Sequence, residues 1–289
     1  MKFNQFNIGM IPHKKWLKWL LFFISFFILM YLFLMMPNLT RREALNAFEN
    51  YLFAHRGLYD NTSYIPENSL LSFQNAIDHG FGIELDVQLT KDKVPIVLHD
   101  YDLKRVSGEN ISVSSLTYEE LSNYKLFSSS ESIPSLKEAL NLIDGQVPLM
   151  IELKVGLSYQ ETCQKVANVL NSYKGPYCII SFSPLALQWF KEQMPHVIRG
   201  QLSTNFFKDH INGPTTIQFM LTHLLLNCLS RPDFISYNYQ YLSNPSLNIC
   251  KHFFGTPIAI WTVQNQEQYE KLSQNDSIIV FDSFLPQSP

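Results

Sequence analysis

The tripeptide Glu84-Leu85-Asp86 is the sharpest chemical feature of the chain. If it lies in a strand, alternation sends both carboxylates to one side and Leu85 to the other. Two like charges that close need a cation or another partner to compensate them. Facing a pocket, they are ligands for a hard divalent ion such as Mg²⁺ or Ca²⁺; facing water, they are only a polar strand face. Phe81, Ile83 and Val87 around them speak for a strand covered on both faces. Further groups of the same kind stand at the ends of other apolar runs: Ala54-His55-Arg56-Gly57, Leu98-His99-Asp100 and Ile151-Glu152-Leu153-Lys154. Taken singly, each has a plainer reading. A strand-end histidine is more often structural than catalytic, and Glu152 with Lys154 could be a surface ion pair, although Pro148-Leu149-Met150-Ile151 reads as the lead-in of a buried strand.

Taken together they suit phosphoryl transfer. Carboxylates hold a metal that neutralises phosphate oxygens, Arg56 and Lys154 add positive charge, and two imidazoles exchange protons with nucleophile and leaving group. Arginine can grip a phosphate with two donors, whereas lysine acts as a point charge. A phosphodiester meets all of these demands.

Positioning these residues is the task of alternating β and helical runs. Candidate strands are Leu52–Gly57, Gly82–Thr90, Pro95–Asp100, Pro148–Lys154, Tyr177–Phe182, Val197–Leu202, Phe234–Asn238, Pro257–Val263 and Ser277–Ser283. Between them, Asn68 can cap a helix over Ser69–Asp78 that Gly80 follows, Ser135 and Glu138 form a capping box, and Ser183 precedes Pro184 at a first helical position. Other helical stretches are Tyr159–Ser172, Ile217–Leu229 and Gln266–Leu272, while the serine-rich Phe127–Glu131 reads as a loop. Strand-then-helix repetition means a parallel sheet with crossovers. Only Lys91-Asp92-Lys93-Val94 separates the second and third candidate strands, far short of a parallel crossover. The third strand should therefore return antiparallel and bring His99 back beside Asp86. Removing it leaves eight parallel strands, so the expected fold is a TIM-type (β/α)8 barrel in the α/β class, with an open doubly wound sheet as the alternative. In a barrel, His55 and Arg56 fall at the C-terminal mouth, where such folds carry their chemistry.

The run from Trp19 to Thr40 has no charged side chain and is long enough to span a bilayer. This divides the chain into an N-terminal tail at 1–18, a transmembrane anchor at 19–40, a linker helix at 41–51 and a catalytic barrel at 52–289. Lys2, Lys14, Lys15 and Lys18 precede the span and Arg41 and Arg42 follow it, so positive-inside counting leans toward a single-pass protein with a cytoplasmic N-terminus and the barrel outside. A cleaved signal peptide fits less well, because Leu34-Met35-Met36-Pro37 offers no small-residue cut site. With 46% hydrophobic residues the remainder can bury a sizeable core, and a net charge of −3 leaves no electrostatic footprint for nucleic acid. Cys163, Cys178, Cys228 and Cys250 lack the CxxC spacing of zinc sites and read as small buried hydrophobes, with one or two disulfides open to an external domain. Ile217–Leu229 is apolar on most sides; packing on the barrel is the plainer reading, and a lipid-facing helix is the alternative.

The order and spacing of His55-Arg56-Gly57, Pro66-Glu67-Asn68-Ser69, Glu84-Leu85-Asp86-Val87-Gln88-Leu89-Thr90-Lys91-Asp92, His99-Asp100, Glu152-Leu153-Lys154, Ser181-Phe182 and Trp261-Thr262-Val263 resemble the glycerophosphodiester phosphodiesterase family over about Leu52 to Pro286. The resemblance implies a TIM-barrel hydrolase that converts glycerophosphodiesters to glycerol 3-phosphate and an alcohol. It further implies that the substrate's free glycerol hydroxyl attacks phosphorus and that water opens the resulting cyclic phosphate. It implies His55 and His99 as general acid and base, one divalent metal ion, Mg²⁺ or Ca²⁺, on Glu84, Asp86 and Glu152, and Arg56 and Lys154 on the phosphate. Glu67, Asn68 and Trp261 are supporting candidates, and Tyr237, Tyr239 and Tyr241 could join Trp261 around the alcohol group. Ser69 stands where the family commonly has Thr, and the segment Val280–Pro286 is longer than the family's usual ending, which puts a role for Asp282 in doubt. Lysophospholipase D action on lysophospholipids is a variant of the same reading. A non-catalytic, membrane-tethered binding protein on the same barrel is a different class, but its decay should have cost one of the five centre residues, and all five are present.

Overall fold

The computed structural model describes residues 13–156, 158–274 and 277–287. Helix α1 (His13–Met35) leads into a short 3-10 turn, Arg42–Leu45, and helix α2 (Asn46–Glu49). The chain then runs β1 (Leu52–His55), α3 (Leu70–Asp78), β2 (Gly82–Leu89), β3 (Pro95–Val97), α4 (Lys104–Ser107), α5 (Tyr118–Leu121), α6 (Leu136–Ile143), β4 (Leu149–Leu153), α7 (Tyr159–Leu170), β5 (Tyr177–Ser181) and α8 (Pro184–Gln193). It finishes with β6 (Ile198–Ser203), α9 (Thr215–Thr222), α10 (Asn227–Ser230), β7 (Phe234–Asn238), α11 (Pro245–His252), β8 (Ile258–Val263), α12 (Gln266–Ser273) and β9 (Ile278–Phe281).

Eight parallel strands close a barrel, since β1 pairs with both β9 and β2. The ninth, β3, pairs antiparallel with β2 beyond the ring, with Leu89 opposite Pro95 and Val87 opposite Val97, as the short Lys91–Val94 connection requires. The capping box at Ser135 and Glu138 forms, and Ser183 caps α8 with Pro184 in its first turn. Asn68 does not cap α3. Ser69 takes that place, accepting from the Ser72 amide, because Asn68 sits at φ 53 with its side chain turned toward β2.

Three apolar clusters hold the molecule. The largest lies between strands and outer helices, and a second fills the barrel from Phe53 through Met150, Ile180, Phe234 and Val280. Barrel interiors are packed by side chains from every strand, and two glycines make room here. A Cβ on Gly82 would stand 2.6 Å from the Phe53 ring, and one on Gly200 would stand 2.3 Å from the Phe234 ring. The third cluster is a lobe that sequence reading left unassigned: Ile96, Leu103, Val113, Leu121 and Leu126 pack around α4 and α5 beside β3.

The N-terminal boundaries differ from expectation. The apolar helix ends at Met35 rather than Thr40, since Met36 precedes Pro37 and the residue before a proline disfavours helix. The expected tail at 1–18 lies outside the described residues as far as residue 12, and α1 already begins at His13. The expected linker helix is a 3-10 turn and one short helix, and its Leu45 and Phe48 plug the barrel floor, packing with Phe53. The stretch Ile217–Leu229 is two helices rather than one. Leu224, at φ 59, breaks it; Leu224 and Leu225 are buried, while Ile217 and Phe219 on α9 are exposed. All four cysteines are free, with Cys163, Cys178 and Cys250 buried.

Alanine at Gly200 must displace the Phe234 ring, so Gly200→Ala should destabilise the domain by about 1–3 kcal/mol. Gly156→Ala, where a Cβ meets nothing within 4 Å, is the control. Calorimetric melting of both variants checks this: a Tm loss for Gly200→Ala and little change for Gly156→Ala.

Candidate active site

Sheet register assembles the centre. Parallel pairing sets His55 on β1 opposite Glu84 on β2, and Asp86 on β2 opposite Glu152 on β4. Leu98 donates its amide to the Asp86 carbonyl at 3.0 Å, which seats His99 over the same strand. His55, Arg56, Glu84, His99, Glu152 and Lys154 line one wall of a cavity of about 190 Å³ at the barrel's C-terminal end, and Ile180, Phe182, Leu202 and Trp261 line the other. The expected residues therefore meet, with Asp86 fully buried just behind that wall. Tyr237, Tyr239 and Tyr241 do not join them. Tyr237 is buried with its hydroxyl on the Thr222 carbonyl, Tyr241 bonds Asp209, and Gln268 donates to Tyr239.

The turn after β1 aims Arg56 and exposes the His55 ring. Arg56 and Gly57 both have positive φ, at 59 and 82. A side chain at position 57 would be strained and would also strike Ser72, so glycine is required there. The same turn lets the Arg56 amide donate to Glu84 Oε2 at 3.1 Å.

Each histidine is braced by an aspartate. His55 Nδ1 lies 3.0 Å from Asp282 Oδ2, and His99 Nδ1 lies 2.6 Å from Asp100 Oδ1. Carboxylates accept, so these partners assign the N–H to Nδ1 in both rings and leave Nε2 to exchange protons in the cavity. His55 Nε2 stands 4.0 Å from Glu84 Oε2. Burial is the largest effect on Asp282 and raises its pKa, but hydrogen bonding to His55 and the charge of His55 outweigh it and hold the carboxyl below its usual range. Burial keeps His99 below the ordinary imidazole value.

Glu84, Asp86 and Glu152 can bring ligand oxygens within 4.8 Å of one another. Burial and mutual repulsion push Glu84 well up and raise Glu152. Burial pushes Asp86 up too, but Lys154 and Arg56 outweigh it, so Asp86 is the acid of the three held ionised. Lys154 Nζ lies 3.0 Å from Glu152 and 3.3 Å from Asp86, and Arg56 Nε lies 3.4 Å from Asp86. Among the described residues Asp86 Oδ1 accepts no hydrogen bond, its contact with Lys154 Nζ at 3.3 Å being an ion pair. An all-carboxylate cluster of this kind fits a hard divalent cation, which would relieve the repulsion that raises Glu84.

Arg56 and Lys154 both face the cavity, yet much of their charge is already engaged by carboxylates. Glu67 is not at the cavity; it accepts from Arg56 at 2.7 Å and takes a two-pronged grip from Arg105 at 2.7 and 2.8 Å. Asn68 donates to Asp86 at 3.0 Å and orients it. Trp261 lines the cavity with an indole N–H that has no partner among the described residues.

Asp282 and Arg105 carry roles that sequence reading did not assign. Asp282 comes into place because its amide donates to the Val263 carbonyl at 3.0 Å, a pairing across β8 and β9 with no local signal. Arg105 belongs to the lobe beside β3, and nothing in its sequence neighbourhood marks it.

Burial raises the Glu67 pKa, but Arg105 and Arg56 outweigh it and bring it down to about 2. A depressed acid stabilises the fold above its unfolded pKa and loses that contribution as pH falls through the folded one. Glu67→Gln should therefore cost roughly 3 kcal/mol at neutral pH. The gap to wild type should close between about pH 4.5 and 2. Thermal melts across that range check the sign.

A profile of the glycerophosphoryl diester phosphodiesterase family matches residues 55–280. YhdW of Bacillus subtilis is 30% identical over 241 residues, covering 77% of this chain and 89% of YhdW. A glycerophosphodiester phosphodiesterase of Bacillus altitudinis is 34% identical over 158 residues, which span 50% of this chain and only 63% of that relative. The rat lysophospholipase D GDPD1 is 26% identical over 275 residues, 83% of this chain and 85% of its own length. Among solved structures, an Oleispira antarctica phosphodiesterase in complex with the product sn-glycerol-3-phosphate shares the fold at a TM-score of 0.66 and 24% identity, covering 80% of this chain and 92% of that one. The family match begins at His55, runs into β9 and takes in the assembled centre, and the chain belongs to the glycerophosphoryl diester phosphodiesterase family.

Proposed function

We propose that the chain hydrolyses glycerophosphodiesters to sn-glycerol 3-phosphate and an alcohol, with His55 and His99 as its acid-base pair. The observation that carries this reading is the pairing of both Nδ1 atoms with aspartates beside a cluster of three carboxylates, two of them lining the same cavity. One imidazole takes the proton of the substrate's glycerol hydroxyl as its oxygen bonds to phosphorus, and the other gives a proton to the departing alkoxide. The roles then reverse: water loses a proton as it attacks the cyclic phosphate, and the ring oxygen that leaves gains one. Arg56 and Lys154 hold the phosphate's charged oxygens from the polar wall. One divalent ion, Mg²⁺ or Ca²⁺, on Glu84, Asp86 and Glu152 would supply further neutralisation of those oxygens. Asp282 and Asp100 position the rings and stabilise each imidazolium as it forms.

A second reading, lysophospholipase D action, is favoured by the apolar wall of Ile180, Phe182, Leu202 and Trp261, which suits a lipid-bearing alcohol group. Comparing kcat/KM on glycerophosphocholine and on lysophosphatidylcholine separates the two. We further infer that α1 anchors the protein in a bilayer, with the N-terminus cytoplasmic and the barrel outside. Lys15–Met35 is apolar enough to cross a membrane, and none of its most apolar stretch is buried.

Release of glycerol 3-phosphate should require added Mg²⁺ or Ca²⁺ and stop on chelation. His55→Ala should reduce kcat on the order of 10²- to 10⁴-fold. Asp282→Asn should lower kcat with little change in KM, because it changes proton transfer rather than binding. Full activity in His55→Ala, or no metal-dependent turnover of any glycerophosphodiester, would overturn the proposal.

A further inference from the structure

The way α1 joins the barrel fixes which end of the barrel meets the bilayer. Tyr31 Oη lies 2.7 Å from Ser246 Oγ in the first turn of α11, at the level of the barrel's C-terminal mouth. Further along, the Met35 carbonyl accepts from Asn227 and from Cys250, a turn lower on α11. Asn38 bonds Pro232 and Asp233, just before β7 begins, and Arg41 donates to the Pro195 and His196 carbonyls ahead of β6. Leu45 and Phe48 then close the floor. From Tyr31 to Phe48 the chain thus descends the barrel wall from mouth to floor, and the described part of α1 before Tyr31 projects past the mouth.

Lengths sharpen this. The exposed helix from Lys15 to Met30 extends about 24 Å at 1.5 Å per residue, short of the roughly 30 Å of hydrocarbon it would have to cross. To cover the full span Lys15–Met35, the bilayer must reach down to the mouth rim. One sector of that rim is apolar. Leu185, Phe207, Ile211, Ile217 and Phe219 are all between 39% and 48% exposed, on the loops and helices that follow β5 and β6. The floor presents fewer such groups, Leu39 and Phe253 being exposed there. Inside the mouth, Trp261 meets Phe182 edge-on at 5.8 Å and Phe182 meets Phe206 at 6.1 Å, so an aromatic path runs from the reaction centre to the rim beside Phe207.

We propose that the catalytic mouth faces the bilayer that holds α1, with the rim around α9 immersed in its surface, so that the alkyl part of a lipid-borne diester reaches the centre along the Trp261–Phe182–Phe206 path. This rests on α1 being a membrane span. Partial immersion of a few apolar side chains is the usual depth for an interfacial surface, about 5–10 Å into the headgroup boundary.

The test uses the full chain in phosphatidylcholine–phosphatidylglycerol vesicles that contain a fraction of lipid spin-labelled near the headgroup end of the acyl chain. A fluorophore is placed at Leu185→Cys, Phe219→Cys or Phe253→Cys in a Cys228→Ser background, the other cysteines being buried. Both mouth positions should be quenched at least about threefold more than Phe253→Cys on the floor. Protein that does not float with the vesicles refutes the anchor reading and the inference with it. Protein that floats but shows equal or stronger quenching at the floor refutes the orientation and leaves the anchor reading standing.

Discussion

Asp86 is the constraint around which the rest of the structure is arranged. It is a fully buried carboxylate with Glu84 two residues before it and Glu152 opposite it across the sheet. Burying an uncompensated charge costs several kcal/mol. The surrounding architecture therefore supplies Lys154 from the end of β4, and Arg56 and an Asn68 amide from the two ends of the β1–α3 connection. Arg56 in turn is held by Glu67, and Glu67 by Arg105, so the support reaches into the lobe beside β3. A charged network of this depth is poor stabilisation for its cost. It makes sense as preorganisation, with positive groups and carboxylates fixed before a phosphate arrives.

The same economy of placement governs the histidines. Their Nδ1 atoms are bound to aspartates that come from different ends of the chain, Asp100 beside its own ring and Asp282 beyond the last strand. Closure of the ring is what makes the second contact, because β1 pairs with β9. The geometry of the His55 ring thus depends on completion of the whole barrel. That completion depends on tight interior packing, in which Gly82 and Gly200 leave room for the Phe53 and Phe234 rings.

At the other boundary of the domain, α1 is joined to the barrel by hydrogen bonds rather than by a slack tether. Its last carbonyls have no helical partner. Arg231 donates to the Phe33 and Met36 carbonyls and stacks on the Phe33 ring, while Asn227 donates to Met35. Such a junction transmits the direction of the helix to the barrel, so the angle between the two follows from the fold instead of from a linker.

Much of this was legible in the sequence. Periodicity 2 in Gly82–Leu89, the apolar run of Leu149–Leu153, caps at Ser135 and Ser183, and the short Lys91–Val94 turn carry the barrel and the place of His99, since each is set by residues within a few positions of one another. The carboxylates, the two histidines, Arg56 and Lys154 were legible because strand ends in a barrel converge. The local signal failed where two readings competed, as with Asn68, whose amide could cap a helix or serve the site, and with Ile217–Leu229, where packing on the barrel was the plainer reading but a lipid-facing helix stayed open. The tyrosines of β7 and its following turn looked like pocket residues, and only packing shows that Tyr237 is sealed in the wall. Nothing near Asp282 or Arg105 in the chain announces a partner more than 200 residues away or in a separate lobe. Composition and period determine which elements form and which face each buries, because those depend on near neighbours. Which distant side chain completes a buried charge or braces a ring is decided by ring closure and packing, which act only in the folded chain.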